Sequence, residues 1–155
     1  MREILFRGKR IDNGEWVSSG NLITFNDKGE GKQFFIPQMN AKCTCTHDEQ
    51  DNILSFDSGV FYKVDPKTIG QYTGRKDKNN KKVFEGDILR VTVDGQNWGV
   101  GVVQWCDHDQ CFSLFLLPNS NLRLIDFGDL GLPEYYEIIG NIHDNPELLE
   151  VTADG

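Results

Sequence analysis

The chain has 155 residues, enough for one ordinary domain or two small ones and for a real apolar core. Apolar residues make up 38% and aromatics 11%, with 16 Gly against 5 Pro, which excludes collagen-like, coiled-coil and generally disordered chains. The formal net charge of -8 sets the whole-chain field against phosphate backbones, so non-specific nucleic-acid binding starts at a disadvantage.

Taken in chain order, the apolar pattern is mostly of period two. Glu3 to Arg10 and Glu15 to Leu22 flank Asn13-Gly14, a pair that predicts a type I′ hairpin. Phe25 and Phe34-Phe35-Ile36 flank a second turn, Asn26-Asp27-Lys28-Gly29. From Pro37 to Asp57 the sequence is polar and irregular and reads as a long excursion with one short strand at Lys42 to Thr46. Val60 to Val64 predicts a strand, and Asp65-Pro66 breaks the pattern, which divides the chain into an irregular β-rich region, 1–65, and a second domain, 66–155.

Beyond that break the spacing becomes regular. Gln71 to Arg75 and Lys82 to Phe84 flank Asp77-Lys78-Asn79-Asn80. Asp87 to Val93, Trp98 to Trp105, Cys111 to Leu117, Leu122 to Ile125 and Tyr135 to Ile142 then read as five short strands. Five strands with tight turns predict a small antiparallel barrel, with a half-barrel or a sandwich as alternatives. Leu89, Val91 and Val93 share one face, as do Phe112, Leu114 and Leu116, and Tyr136, Ile138 and Ile142 with Gly140 between them; these should form the core. Gly99 and Gly101 mark bends or close backbone approach. A helix is predicted only at the end, a turn over Glu147 to Glu150 capped by Asn145 with Pro146 in its first turn.

No apolar run approaches the roughly 18 residues a membrane span needs, and Met1-Arg2-Glu3-Ile4 does not open a signal peptide, so a cytoplasmic protein is expected. Charge is unevenly placed. Residues 1–90 carry 15 basic and 13 acidic residues, a net +2, whereas residues 91–155 carry 1 and 11, a net -10. Arg75, Lys76, Lys78, Lys81 and Lys82 form a candidate basic patch, which reads first as a solvated hairpin tip and second as a contact for an acidic surface within the chain or on another copy. With Arg7, Lys9 and Arg10, and with Trp16, Tyr72 and Phe84 nearby, it also allows a nucleic-acid-binding strip.

Four cysteines fall in two close pairs, too few for a secreted disulfide scaffold, which fits a reduced compartment. Cys43, Cys45 and His47 alternate on one face of a strand, and Cys106, His108 and Cys111 could complete a zinc site. The gaps of one and four residues match zinc spacings poorly, and Cys106 and Cys111 read better as small residues facing each other across a hairpin. No cofactor is expected. Asp107-His108-Asp109 reads as a solvated loop, and Asp87 as a turn carboxylate that accepts backbone hydrogen bonds. Walker-type loops, the zinc-protease histidine pair and the serine elbow are missing from the sequence, so an enzyme is not expected.

Three segments carry a resemblance. Thr68-Ile69-Gly70-Gln71-Tyr72-Thr73-Gly74-Arg75-Lys76-Asp77 with Val83-Phe84-Glu85-Gly86-Asp87-Ile88, the ending Ile138-Ile139-Gly140-Asn141-Ile142-His143-Asp144-Asn145-Pro146-Glu147-Leu148-Leu149, and the opening Phe6-Arg7-Gly8-Lys9 with Gly14-Glu15-Trp16-Val17 resemble the YopX family of phage and prophage proteins. The resemblance implies a phage- or prophage-encoded protein of a bacterial host, an SH3-type C-terminal barrel, self-association, and no catalytic residues to carry over. Residues 37–57 share least with the family pattern. The combined expectation is a mainly β protein, an irregular N-terminal β region followed by a small SH3-like antiparallel barrel with a short C-terminal helical turn. It would act as a non-enzymatic interaction module that forms a homo-oligomer or binds a host or phage protein. The rivals are a nucleic-acid-binding barrel using the 75–82 hairpin and an acidic DNA mimic that blocks a host enzyme.

Overall fold

The computed structural model describes residues 3–27, 29–37, 45–47, 53–56, 61–117, 123–126 and 133–150, with the backbone alone at 27, 45–47, 53–56 and 123–126. The chain is mainly β and forms two compact units, Glu3–Gly70 and Gln71–Gly155.

In the first unit, β1 (Phe6–Lys9) and β2 (Trp16–Ser19) form an antiparallel hairpin. Its turn differs from the type I′ pair predicted at Asn13-Gly14. Only Gly14 is left-handed, at φ +73°, and the closure is a four-residue loop in which the Arg10 N–H donates to Glu15 O at 2.9 Å. Local side chains favour that longer loop: the Asn13 side chain accepts from the Glu15 N–H at 3.0 Å, and Arg10 Nε donates to Asp12 at 2.8 Å. A three-stranded antiparallel sheet follows, with β3 (Ile23–Asp27) and β7 (Phe61–Val64) flanking β4 (Gly31–Pro37). Between β4 and β7, β5 (Cys45–His47) pairs with β6 (Ile53–Phe56); of the strand expected over Lys42 to Thr46, residues 42–44 lie outside the described residues. β7 (Phe61–Val64) leads into a 3-10 turn, Pro66–Thr68, capped by the Asp65 carboxylate, which accepts the Lys67 N–H at 3.0 Å. Ile36 and Val64 are the fully buried large apolar side chains described in this unit.

The second unit begins with the hairpin of β8 (Gly70–Lys76) and β9 (Lys82–Phe84). β10 (Asp87–Val93), β11 (Gln96–Cys106), β12 (Cys111–Leu116), β13 (Arg123–Asp126) and β14 (Tyr136–Asn141) then form one antiparallel sheet, curled into a half-barrel, in the order β13-β12-β11-β10-β14. A two-residue hairpin turn stands instead at Asp94-Gly95, where both φ angles are positive, 50° and 76°. Leu89, Val91, Val103, Phe112, Leu114, Leu116 and Tyr136 pack with Val83 from β9 into the core, and Val93 and Ile138 lie at its margin.

Ile142 is absent from that core, and the reason is a bulge. Leu89 pairs with Ile138 but Ile88 pairs with Gly140, so Ile139 is an extra residue. The bulge reverses the alternation beyond Ile138, places Gly140 on the face of Ile88, and leaves Ile142 beside Gly86. Gly101 marks close approach as expected: a Cβ there would lie 2.8 Å from Leu114 Cγ and 2.9 Å from Phe115 O. After a 3-10 turn at Pro133–Tyr135 and strand β14, Pro146–Leu149 forms another 3-10 turn. Asn145 makes no side-chain capping bond to it. Its Oδ1 accepts the Asn141 N–H at 3.3 Å instead.

Candidate functional site

The basic patch sits on the β8–β9 hairpin, and its geometry is set by a residue the sequence pattern did not single out. Asp77 is 2% exposed. Its Oδ1 accepts the Asn79 and Lys81 N–H groups, both at 2.9 Å, and its Oδ2 accepts the Ile138 N–H of β14 at 3.1 Å. The Lys78 N–H donates to Tyr136 O at 3.0 Å. A buried carboxylate thus takes the place of a neighbouring strand along the outer edge of β14, which satisfies edge groups that would otherwise be open to pairing. The signal available in the sequence was an Asx residue opening a polar turn.

This docking divides the five cations. Lys78 Nζ lies 2.7 Å from Glu137 Oε2, and Arg90 Nη1 lies 3.7 Å from the same oxygen. The hydrogen bond from Lys78, assisted by Asn79 and Arg90, holds the Glu137 carboxyl below its ordinary value against the opposing effect of partial burial. The basic hairpin therefore meets the acidic strands within one chain at this point. Lys82 Nζ stands 5.5 Å from the Tyr72 ring centroid, and Lys76 Nζ donates to Asn80 Oδ1 at 3.0 Å. Lys76 and Lys81 are exposed and Arg75 is half-buried. Among the described residues, no carboxylate pairs with Lys76 or Lys81. Tyr72 and Phe84, proposed as stacking aromatics, are buried and lie 5.6 Å apart, centroid to centroid.

The other basic candidates belong to the first unit. The Arg7 guanidinium lies 4.7 Å from the Trp16 ring centroid and Lys9 Nζ 5.8 Å from it. The Arg10 guanidinium lies 4.1 Å from the Tyr62 ring and forks onto the Asp12 carboxylate. That pairing raises the pKa of Arg10 and lowers that of Asp12. A cavity of about 550 Å3 opens there, walled by Phe35, Phe61, Tyr62 and Ile11 with Arg10, Asp12 and Lys63 at its polar side.

The candidate zinc ligands are placed as follows. Cys43 lies outside the described residues, and Cys45 and His47 are described only as backbone positions on β5 of the first unit. Cys106 and Cys111 stand directly opposite each other at the end of the β11–β12 hairpin, as the facing pair expected from sequence. His108 projects into solvent with its side chain 92% exposed, its Nδ1 2.9 Å from Asp109 Oδ1. Among the described residues, no three His, Cys, Asp or Glu side chains gather at metal-binding distance.

The Glu85-Gly86-Asp87 corner is structural in its contacts. Asp87, 2% exposed, accepts the Phe84 N–H at 2.8 Å, and Gly86 takes φ +84°. The Gly86 N–H donates to Val103 O at 2.8 Å and Gly86 O accepts the Ile142 N–H at 3.0 Å, so the corner is bonded to both β11 and the end of β14. Across from it, Gly140 leaves room for Asn145, whose Oδ1 would lie 2.6 Å from a Cβ placed there. Both segments are among the three that carry the family resemblance, and a model of the YopX protein family matches residues 5–150. The chain belongs to the YopX family. In this YopX protein the family-like stretches at 83–88 and 138–149 are thus spent on joining β9, β10, β11 and β14. The chain is also similar to protein EF1440 from Enterococcus faecalis. That crystal structure has a TM-score of 0.50 and 25% sequence identity, over 94% of this chain and 97% of that one. No curated protein matches this chain significantly. Among the described residues no helix is long and apolar enough to cross a membrane.

Proposed function

We propose that this YopX protein is a phage- or prophage-encoded accessory protein of the host cytoplasm. In this reading it works without a cofactor, as a non-enzymatic interaction module that self-associates, and its half-barrel is a member of the SH3-like class. The strand order β13-β12-β11-β10-β14 supports the class. The observation that carries the self-association is the division of charge on the 75–82 hairpin. Lys78 is already matched by Glu137, while Lys76 and Lys81 stand exposed without a carboxylate partner among the described residues. Residues 91–155 meanwhile offer 11 acids against a single base. Exposed tryptophans on β11, Trp98 at 50% and Trp105 at 45%, add the kind of aromatic anchor that contact surfaces favour.

Charge-driven contacts between exposed groups weaken as the Debye length shrinks from about 10 Å at 0.1 M salt to about 3 Å at 1 M. Light scattering should therefore report an oligomer at low ionic strength and a mass near 17.6 kDa at high. A monomer under both conditions overturns the proposal.

A second reading, nucleic-acid binding by the first unit, draws on the Arg7 and Lys9 side chains over Trp16. Mobility shift of short single- and double-stranded DNA at low salt tests it, and no shift at high protein concentration removes it.

A further inference from the structure

We infer that Cys106 and Cys111 form a dithiol–disulfide pair, a redox modification site that low-molecular-weight disulfides of the glutathione type oxidise. Three observations carry this. First, the two residues are direct cross-strand partners at the end of the β11–β12 hairpin. Residues so placed have Cα atoms about 4.5–5.5 Å apart and side chains on the same face. A disulfide needs Cα atoms about 4.4–6.8 Å and Cβ atoms about 3.5–4.5 Å apart, so the Cα spacing already suits the oxidised form and a small closing of the hairpin end brings the Cβ atoms into range. Second, both are thiols and both are half-exposed, so a small disulfide can reach them. Third, both sulfurs have polar neighbours at the hairpin end. Cys106 Sγ donates to Asp109 Oδ2 of the adjoining loop at 3.3 Å, and Cys111 Sγ lies 3.5 Å from Ser113 Oγ, both weak contacts that rotation about χ1 exchanges for the S–S bond.

The reaction is thiol–disulfide exchange. One cysteine, as thiolate, attacks a sulfur of the oxidant, the oxidant's S–S bond breaks, and one small thiol leaves as a mixed disulfide forms. The second cysteine attacks the protein sulfur of that mixed disulfide, releasing the second small thiol. Altogether the protein gives up two protons and two electrons, which the oxidant takes up to become two thiols. The bond closes the loop Asp107-His108-Asp109-Gln110 and fixes the hairpin end that carries the exposed Trp105 and its edge-to-face contact with Phe112, centroids 5.1 Å apart. This inference stands apart from the proposed self-association, since neither needs the other.

The test is equilibration of the full chain, carrying Cys43→Ser and Cys45→Ser, with excess oxidised glutathione at mildly alkaline pH. The expected product has lost two hydrogens by intact mass, yields a 106–111 linked peptide on non-reducing digestion, and returns to two thiols with dithiothreitol. Replacing either member, Cys106→Ser or Cys111→Ser, should stop the reaction at a single glutathione adduct. Two glutathione adducts per chain, or two thiols that still alkylate after equilibration, would overturn the inference. The same digestion of the wild-type chain provides a check independent of the serine variants: a Cys106–Cys111 linkage is expected, and linkage of either residue to Cys43 or Cys45 contradicts it.

Discussion

The two units bury their chains by different means. In the second, apolar side chains from β9 to β12 and β14 close on one another: Leu89, Val103 and Leu114 are wholly inaccessible and Val91 nearly so. In the first, the described residues contribute Ile36 and Val64 as large buried apolar groups, and polar pins do much of the rest. Thr68, 7% exposed, accepts the Lys9 N–H at 2.8 Å and donates to Asp65 O at 2.7 Å, while Asp65 N–H returns to Lys9 O at 2.9 Å. The Trp16 and Tyr62 rings of the first unit are only partly buried and lie under Arg7, Lys9 and Arg10. Apolar burial is non-directional and makes a core; directed polar pins set the course of a chain without needing one. Core truncations should therefore hurt the second unit most, and loss of a polar pin should hurt locally.

The largest effect should come from Leu114→Ala. Deleting a fully buried leucine side chain costs about 2–5 kcal/mol, the upper values where the cavity cannot collapse. Urea unfolding followed by tryptophan emission measures it, and an equal loss from Thr68→Val would erase the contrast between the units. Gly101→Ala comes next. Its Cβ would meet Phe115 O at 2.9 Å, a backbone atom that cannot swing aside, and overpacking of this kind costs roughly 1–3 kcal/mol. A midpoint unchanged in urea would contradict the close approach of β11 and β12.

Asp77→Ala is expected to be of similar size or somewhat smaller, roughly 1–3 kcal/mol, because three backbone N–H groups lose one acceptor residue. Its signature is local: amide exchange at Asn79, Lys81 and Ile138 should speed up more than at Leu114. Uniform acceleration would make Asp77 an ordinary core residue. The smallest effect concerns Glu137. Its folded pKa is depressed chiefly by the Lys78 hydrogen bond, so its contribution is fully present above the unfolded carboxyl value. That contribution is lost as pH falls through the folded value. Glu137→Gln should remove this acid-side slope, leave stability at neutral pH slightly lower, and matter less in high salt. An acid denaturation curve identical to wild type would remove the ion pair from the account.

Much of the second unit was legible from sequence because its strands are short, regular and separated by turn residues whose chemistry is local. β9 and β10 fall where the alternation predicts, and Leu89, Val91, Phe112, Leu114, Leu116 and Tyr136 enter the core together. The misreadings are of other kinds. Asn13-Gly14 and Asp94-Gly95 look alike as dipeptides, but only Asp94 has no local side-chain loop to compete with the tight turn described at Asn13 and Glu15. A bulge such as Ile139 adds one residue without altering composition, so the displacement of Ile142 had no signal in the alternation itself. The candidate site shows the same limit. The five cations were visible as a cluster, but Lys78 meets Glu137 across 59 positions, and Asp77 reaches Ile138 across 61. Those pairings follow from the way the hairpin lies along β14, which no local pattern encodes.

In the proposed self-association, the cations left over on the hairpin tip, Lys76 and Lys81, reach carboxylates of another copy. Zero-length carbodiimide cross-linking of an equimolar mixture of isotope-labelled and unlabelled chains, at low salt, distinguishes contacts between copies from contacts within one. Mixed-isotope peptides joining Lys76 or Lys81 to acids between residues 91 and 150, lost at high salt, are the expected result. Cross-links confined to single chains, such as Lys78 to Glu137 alone, would contradict it.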